Sequence, residues 1–269
     1  LFTTAGLDAF VSGVILYDET LRQKTREGEP MAQALARCGM IPGIKVDKGA
    51  KALAGFPGEK VTEGLDGLRD RLAEYVALGA RFTKWRAVIE VGPQIPSRTC
   101  VEANTHALAR FAALSQEAGL VPIVEPEVLM AGDHAIERHY EATESALHAL
   151  FRDLHAHRVH QEGLLLKVNM VLSGTTAGSQ ASVAEVAEKT WRCMHRSVPA
   201  AVPGIVFLSG GQSDVLATQH LNALNRIRHA PWELSFSFGR ALQAPALRAG
   251  AGREENRSAA QAALLLLSR

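Results

Sequence analysis

Four short apolar runs in this sequence each close on two polar residues spaced two positions apart: Lys45 and Asp47, Lys84 and Arg86, Glu125 and Glu127, and Lys167 and Asn169. On a strand, residues i and i+2 share a face, so each pair points one way. Any single pair could simply mark a strand's emergence into solvent. Four together make more sense converging on one another and on a ligand, because lysine and glutamate are rarely buried without partners. A lysine attacks carbonyl carbon only as the neutral amine, and further cations nearby lower its pKa towards the working pH. Lys167 follows Leu164, Leu165 and Leu166 and is the best placed nucleophile. Lys84 and Arg86 are expected to supply the like charge beside it. Glu125, crowded by Glu127 and partly desolvated, is the acid or base candidate. It equally suits a plain ion pair with Lys84, and the two roles are compatible.

Two later segments have the makings of anion sites. Ser209, Gly210 and Gly211 follow one apolar run, and Ser237, Phe238, Gly239 and Arg240 follow the next. Glycine lets backbone N–H groups approach an anion closely, and Arg240 adds a permanently charged fork. His155, His157 and His160 diverge on a helix and read as a solvated face, not a metal site.

These side chains need a frame. Seven segments rich in branched or aromatic residues read as buried strands: 11–18, 41–47, 81–90, 120–127, 163–172, 202–209 and 232–238. Helical periodicity fills the intervals, for example from Leu65 to Val76, Ala103 to Ala118, Ala135 to Leu154 and Val183 to Arg196. Gly250 to Arg257 breaks the chain before a final helix, and Pro231 and Trp232 open the last strand. Alternation of strand and helix implies parallel strands, in a doubly wound sheet or a closed barrel. Charges at the ends of four strands favour the barrel, whose active-site face lies where the strands' carboxyl ends meet. The last two loops are also where such barrels commonly hold phosphate.

The 269 residues are 47% hydrophobic, enough for one core, and a single domain over 1–269 is expected. A formal net charge of +1 gives no long-range field for nucleic acid or an anionic membrane. Small phosphorylated ligands, met by local cations, fit better. Three scattered cysteines without CxxC spacing point to a reducing, cytoplasmic setting. The longest apolar runs fall short of the roughly 18 residues that cross a bilayer. Leu1 to Thr4 lacks an initiating methionine and the features of a signal or transit peptide, which reads as a start within a domain.

At this point a family resemblance emerges. Gly43-Ile44-Lys45-Val46-Asp47-Lys48-Gly49, Gly64-Leu65-Asp66-Gly67-Leu68, Lys84-Trp85-Arg86, Val121-Pro122-Ile123-Val124-Glu125-Pro126-Glu127, Leu165-Leu166-Lys167-Val168-Asn169-Met170, Phe207-Leu208-Ser209-Gly210-Gly211-Gln212-Ser213 and Ser237-Phe238-Gly239-Arg240-Ala241-Leu242-Gln243 resemble class I fructose-bisphosphate aldolases in order and spacing. The resemblance implies a TIM (β/α)8 barrel, with seven of the eight strands in this chain. It implies reversible cleavage of fructose 1,6-bisphosphate to dihydroxyacetone phosphate and glyceraldehyde 3-phosphate, without metal or other cofactor. Matched residue by residue, it gives Lys167 the imine, Glu125 the proton shuttle with Glu127 beside it, and Lys84 the second active-site lysine. Lys45 would lie near the distal phosphate, while Ser209, Gly210, Gly239 and Arg240 would hold the phosphate on the ketose side. Ser237 and Arg86 complete the substrate-binding candidates. A cytoplasmic homotetramer is expected.

The sequence also departs from the family's pattern. The resemblance implies a preceding strand bearing an aspartate and a following tail ending in a tyrosine, both outside this span, so the chain alone is expected to be poorly active. Val168 stands where the family usually has proline, and Gly250 where it has tryptophan. Two rivals share some of these features. A catalytically silent aldolase-like fragment, acting as an assembly or cytoskeletal binding module, would keep the surface without forming an imine, and a transaldolase-like barrel would share the lysine without paired phosphate loops. A zinc-dependent aldolase is disfavoured because no credible set of three histidines occurs.

Overall fold

The computed structural model describes residues 1–227 and 230–268, with the Arg240 side chain outside that description. Its strands are β1 (Gly13–Leu16), β2 (Ile41–Lys45), β3 (Ala50–Ala52), β4 (Lys60–Thr62), β5 (Phe82–Ile89), β6 (Val121–Val128), β7 (Leu165–Val168), β8 (Gly204–Phe207) and β9 (Glu233–Phe236). Its α-helices are α1 (Asp18–Arg22), α2 (Met31–Arg37), α3 (Leu68–Ala77), α4 (Arg98–Glu117), α5 (Ile136–Ala156), α6 (Val183–Ser197), α7 (Asp214–Arg226), α8 (Arg240–Gly250) and α9 (Arg257–Ser268). Each of the seven predicted strands is present, β6 running one residue further than expected.

Seven strands form one parallel sheet in the order β1-β2-β5-β6-β7-β8-β9. Strand order follows chain order, and the helices between strands cover the outer face. Residues of β1 and β9 line the same cavity as Lys84 and Lys167 on middle strands. The sheet is therefore curled, an α/β fold of the TIM-barrel type seen as a seven-strand partial barrel. Among the described residues, no strand pairs with the far edge of β1 or β9.

Period-2 alternation separates the two faces. Outward-facing Ile44, Trp85, Val124, Leu166, Ile205 and Phe207 are each fully buried under the helices. Inward-facing Phe82, Ile123, Leu165 and Val206 line the interior below Lys45, Lys84 and Lys167. The helices begin where serine caps them: Ser97, Ser182 and Ser213 accept from the N–H groups of Cys100, Glu185 and Leu216.

The antiparallel hairpin β3–β4 has no counterpart in the sequence reading. Its three-residue strands carry too little alternation to register as a pattern. Asn104, fully buried on α4, holds it by accepting from Thr62 N–H (3.1 Å) and donating to Lys60 O (2.8 Å).

Above the sheet, the loops after β6 and β7 are stitched together by backbone bonds. Thr175, Gly174 and Thr176 donate to the carbonyls of Met130, His134 and Gly132. A Cβ on Gly174 would lie 2.3 Å from the Gly132 carbonyl oxygen, a backbone atom held by that same stitching. Gly174→Ala is expected to destabilise the chain by about 1–3 kcal/mol through overpacking, read as a lower denaturation midpoint. An unchanged midpoint would show that the two loops yield freely.

Candidate active site

Parallel register decides which side chains meet. Lys45 pairs laterally with Lys84, Lys84 with Ile123, and Ile123 with Leu165. Two residues on, Glu125 and Lys167 point inward beside one another. The carboxylate of Glu125 sits between two amines: Lys84 Nζ is 2.8 Å from Oε2 and Lys167 Nζ is 3.2 Å from Oε1. The three side chains are only 8%, 4% and 11% exposed for Lys84, Glu125 and Lys167. Both lysines line a cavity of about 1430 Å³ in the mouth and interior of the partial barrel.

Burial pushes the Lys167 pKa below the ordinary lysine value, because a desolvated ammonium has lost its hydration. Glu125 opposes that shift and the charge of Lys84 adds to it. The sequence reading gave the leading part to surrounding cations, and the structure reverses that order. Arg86 in particular does not provide the like charge. Its guanidinium Nε donates to Oε2 of Glu127, so the two neutralise each other. The plain Lys84–Glu125 ion pair is present, in an arrangement that leaves the second carboxylate oxygen for Lys167.

Lys45 lies on the same cavity and reaches Asp47 Oδ1 at 2.6 Å. Asp47 is a hub the sequence did not assign a role: Oδ1 also accepts from Gly49 N–H and Oδ2 from Arg86 N–H. Asn169 departs from the shared-face expectation. β7 ends at Val168, and beyond it the Asn169 side chain turns away, Oδ1 accepting from Val128 N–H (2.9 Å) and Nδ2 donating to Thr143 Oγ1 on α5 (3.1 Å). It thereby replaces a ladder bond where β6 and β7, paired only at Ile123–Leu165 and Val124–Leu166, part company.

His139 completes that outer support. Burial, with His134 second, pushes its pKa down to about 4, so the ring is neutral. Nδ1 accepts from Leu172 N–H and Nε2 donates to Val128 O. Only the buried, 3.6-periodic position of His139 on α5 marked it in the sequence, and that signal does not distinguish it from core.

Of the anion-site candidates, Ser237 and Gly239 line the lysine cavity. Ser209 and Gly210 lie in the turn after β8, which is paired in register with β9 through Val206–Ser235 and Phe207–Phe236. Gly210 and Gly211 have φ of +62° and +93°, the left-handed region that favours glycine. Gly239 is the N-cap of the eleven-residue α8, whose first N–H groups have no helical acceptor and carry the positive end of the dipole. Arg240 opens that helix; its side chain lies outside the described residues. A buried amine beside a carboxylate, with two glycine turns on neighbouring strands, suits covalent capture of a carbonyl compound that carries an anionic group.

Comparison with known proteins agrees with this chemistry. The family model described as fructose-bisphosphate aldolase class-I matches residues 1–269. A probable fructose-bisphosphate aldolase class 1 of Xanthomonas campestris pv. campestris is 61% identical over 248 residues, which is 92% of this chain and 74% of that protein. Cytosolic fructose-bisphosphate aldolase 6 of Arabidopsis thaliana is 51% identical over 267 residues, 99% of this chain and 74% of that one. A solved structure of fructose-bisphosphate aldolase from Plasmodium falciparum, in complex with TRAP and a small-molecule inhibitor, matches with a TM-score of 0.97 at 44% identity. That match covers 100% of this chain and 78% of the other.

The geometry around Lys167 makes one prediction with a fixed sign. Lys84→Met removes a like charge and leaves Glu125 facing Lys167 alone, and both changes favour the ammonium. Competitive labelling of Lys167 by an amine-reactive reagent, followed by mass spectrometry across pH, is therefore expected to shift to higher pH. A profile that stays put or moves to lower pH would contradict the coupling.

Proposed function

Because the chain belongs to the class I fructose-bisphosphate aldolase family, we propose that Lys167 is the amine through which its lyase activity runs. The family implies a sugar bisphosphate as substrate, and the reaction proposed here is reversible cleavage of fructose 1,6-bisphosphate into dihydroxyacetone phosphate and glyceraldehyde 3-phosphate. One observation carries the assignment: Lys167 and Lys84 share the two oxygens of the buried Glu125 carboxylate at the edge of the cavity.

In the proposed sequence, neutral Lys167 Nζ adds to the ketone carbon of the open-chain sugar while the ketone oxygen takes a proton from solvent, giving a carbinolamine. Glu125, within reach of both amines, takes up the proton released from Nζ and returns it to the departing hydroxyl as water leaves. Lys84 steadies the carboxylate between these states. The resulting iminium accepts the electron pair of the bond between the third and fourth carbons as the C4 hydroxyl loses its proton to solvent. The aldehyde departs, the enamine left on Lys167 is protonated at carbon, and water hydrolyses the imine to free dihydroxyacetone phosphate. Glu127 and Arg86, paired with each other, flank the site; Lys45 is assigned to the distal phosphate. Ser209, Gly210, Ser237, Gly239 and Arg240 are assigned to the phosphate on the ketose side, where turn amides and a helix N-terminus suit an anion.

The whole chain is read as one catalytic domain, since a single apolar cluster runs from Leu7 to Leu264. A cytoplasmic location is supported by the names of the cytosolic plant relatives. No helix among the described residues is long and apolar enough to cross a membrane. A homotetramer is carried over with the family resemblance, and sedimentation of the chain would test it.

Treating the chain with fructose 1,6-bisphosphate and borohydride, then mapping peptides by mass spectrometry, tests the assignment. The adduct is expected on Lys167, absent in Lys167→Met, and formed roughly 10²- to 10⁴-fold more slowly in Glu125→Gln. Sugar binding without any adduct would instead identify a silent binding module.

A further inference from the structure

We propose that Gln212, oriented by His220, is a positioning residue that sets the anion-binding face of the turn after β8. The proposal rests on the reading of that turn as a phosphate holder. Gln212 lies just beyond the two left-handed glycines, and its side chain is buried and folded back beneath the turn. Its Nε2 donates to the Ser209 carbonyl oxygen at 2.9 Å, and its own backbone N–H donates to the same oxygen at 3.0 Å. On the other side, Gln212 Oε1 lies 2.6 Å from Nδ1 of His220, a buried residue of α7.

This arrangement fixes each group in one orientation. The glutamine nitrogen must face the Ser209 carbonyl, so its oxygen must face the histidine. A neutral imidazole then has to carry its hydrogen on Nδ1. Burial lowers the His220 pKa and keeps the ring neutral, and Nε2 is buried with no partner among the described residues, so the hydrogen on Nδ1 leaves no donor unpaired. The effect reaches the turn through peptide geometry. In a trans peptide the carbonyl and the following N–H point in opposite directions. Holding Ser209 O towards Gln212 with two bonds therefore aims the Gly210 N–H away from Gln212, and that N–H has no acceptor among the described residues. A phosphate oxygen is the acceptor this donor suits.

If Gln212 and His220 only close the start of α7, their loss would weaken the molecule without regard to ligand. If they set the turn, their loss would penalise phosphorylated ligands selectively. The two cases separate in borohydride trapping on the whole chain with dihydroxyacetone phosphate and, in parallel, with phosphate-free dihydroxyacetone. Gln212→Met is expected to raise the half-saturating concentration of the phosphorylated ketone roughly tenfold and to leave that of dihydroxyacetone unchanged. His220→Leu is expected to act in the same direction. His220→Asn, whose Nδ2 stands where Nδ1 stood and still donates to Oε1, is expected to restore the original value. If Gln212→Met does not fold, the two His220 variants decide the matter. Equal losses for both ketones, no loss for the phosphorylated one, or an asparagine variant as impaired as the leucine one would overturn the proposal. A wild-type chain that prefers neither ketone would remove the phosphate-turn reading itself, and the Gln212 proposal with it.

Discussion

The site depends on one buried carboxylate shared by two buried amines. Burying a carboxylate is costly unless a cation pairs with it, and Lys84 lies 2.8 Å from that of Glu125. Lys167 at 3.2 Å is then a second cation for a carboxylate that is already paired, while burial works against its ammonium form. Removing its proton relieves both the desolvation and the repulsion from Lys84. An ordinary lysine in water has neither incentive. The same carboxylate lies within reach of the proton that would leave Lys167 Nζ.

The fold is organised to hold three strands in the register that makes this possible. β5 and β6 pair over their whole lengths, which locks Lys84 against the Glu125 strand. β6 and β7 pair over only two positions and then separate, so at its end of the strand Lys167 is held by its pairing with Val206 of β8 and is free on the β6 side. Asn169 and His139 absorb the separation from outside, satisfying the Val128 N–H and C=O that the parting strands leave unpaired. Placing these polar groups on the helix side keeps the inner face clear for substrate.

Much of this was legible in the residues. All seven parallel strands were visible because buried strands are continuous apolar runs, and the i, i+2 pairs named Lys84, Glu125 and Lys167 before any coordinate did. Partner choice was less visible. Side-chain spacing places Arg86 near Lys167, but only three-dimensional geometry shows that Glu127 takes it out of play. The relative weight of burial and neighbouring charge on Lys167 is likewise a property of the packed interior. Asn169 obeys the alternation rule only if its strand continues, and β7 stops one residue earlier. Short polar strands such as β3 and β4, or buried amides such as Asn104 and Gln212, leave no periodic signal because their role is fixed by a single distant partner.

The central claim is that Lys167 captures the ketone while the turns after β8 and β9 hold the neighbouring phosphate. A crystal structure of the chain after borohydride trapping with fructose 1,6-bisphosphate tests it most directly. The account predicts continuous density from Lys167 Nζ to the former ketone carbon, Glu125 beside that bond, and a phosphate within hydrogen-bonding distance of the Ser209–Gly210 and Gly239 backbone. Density joined to Lys84 or Lys45 instead, or a phosphate seated away from both turns, would contradict it.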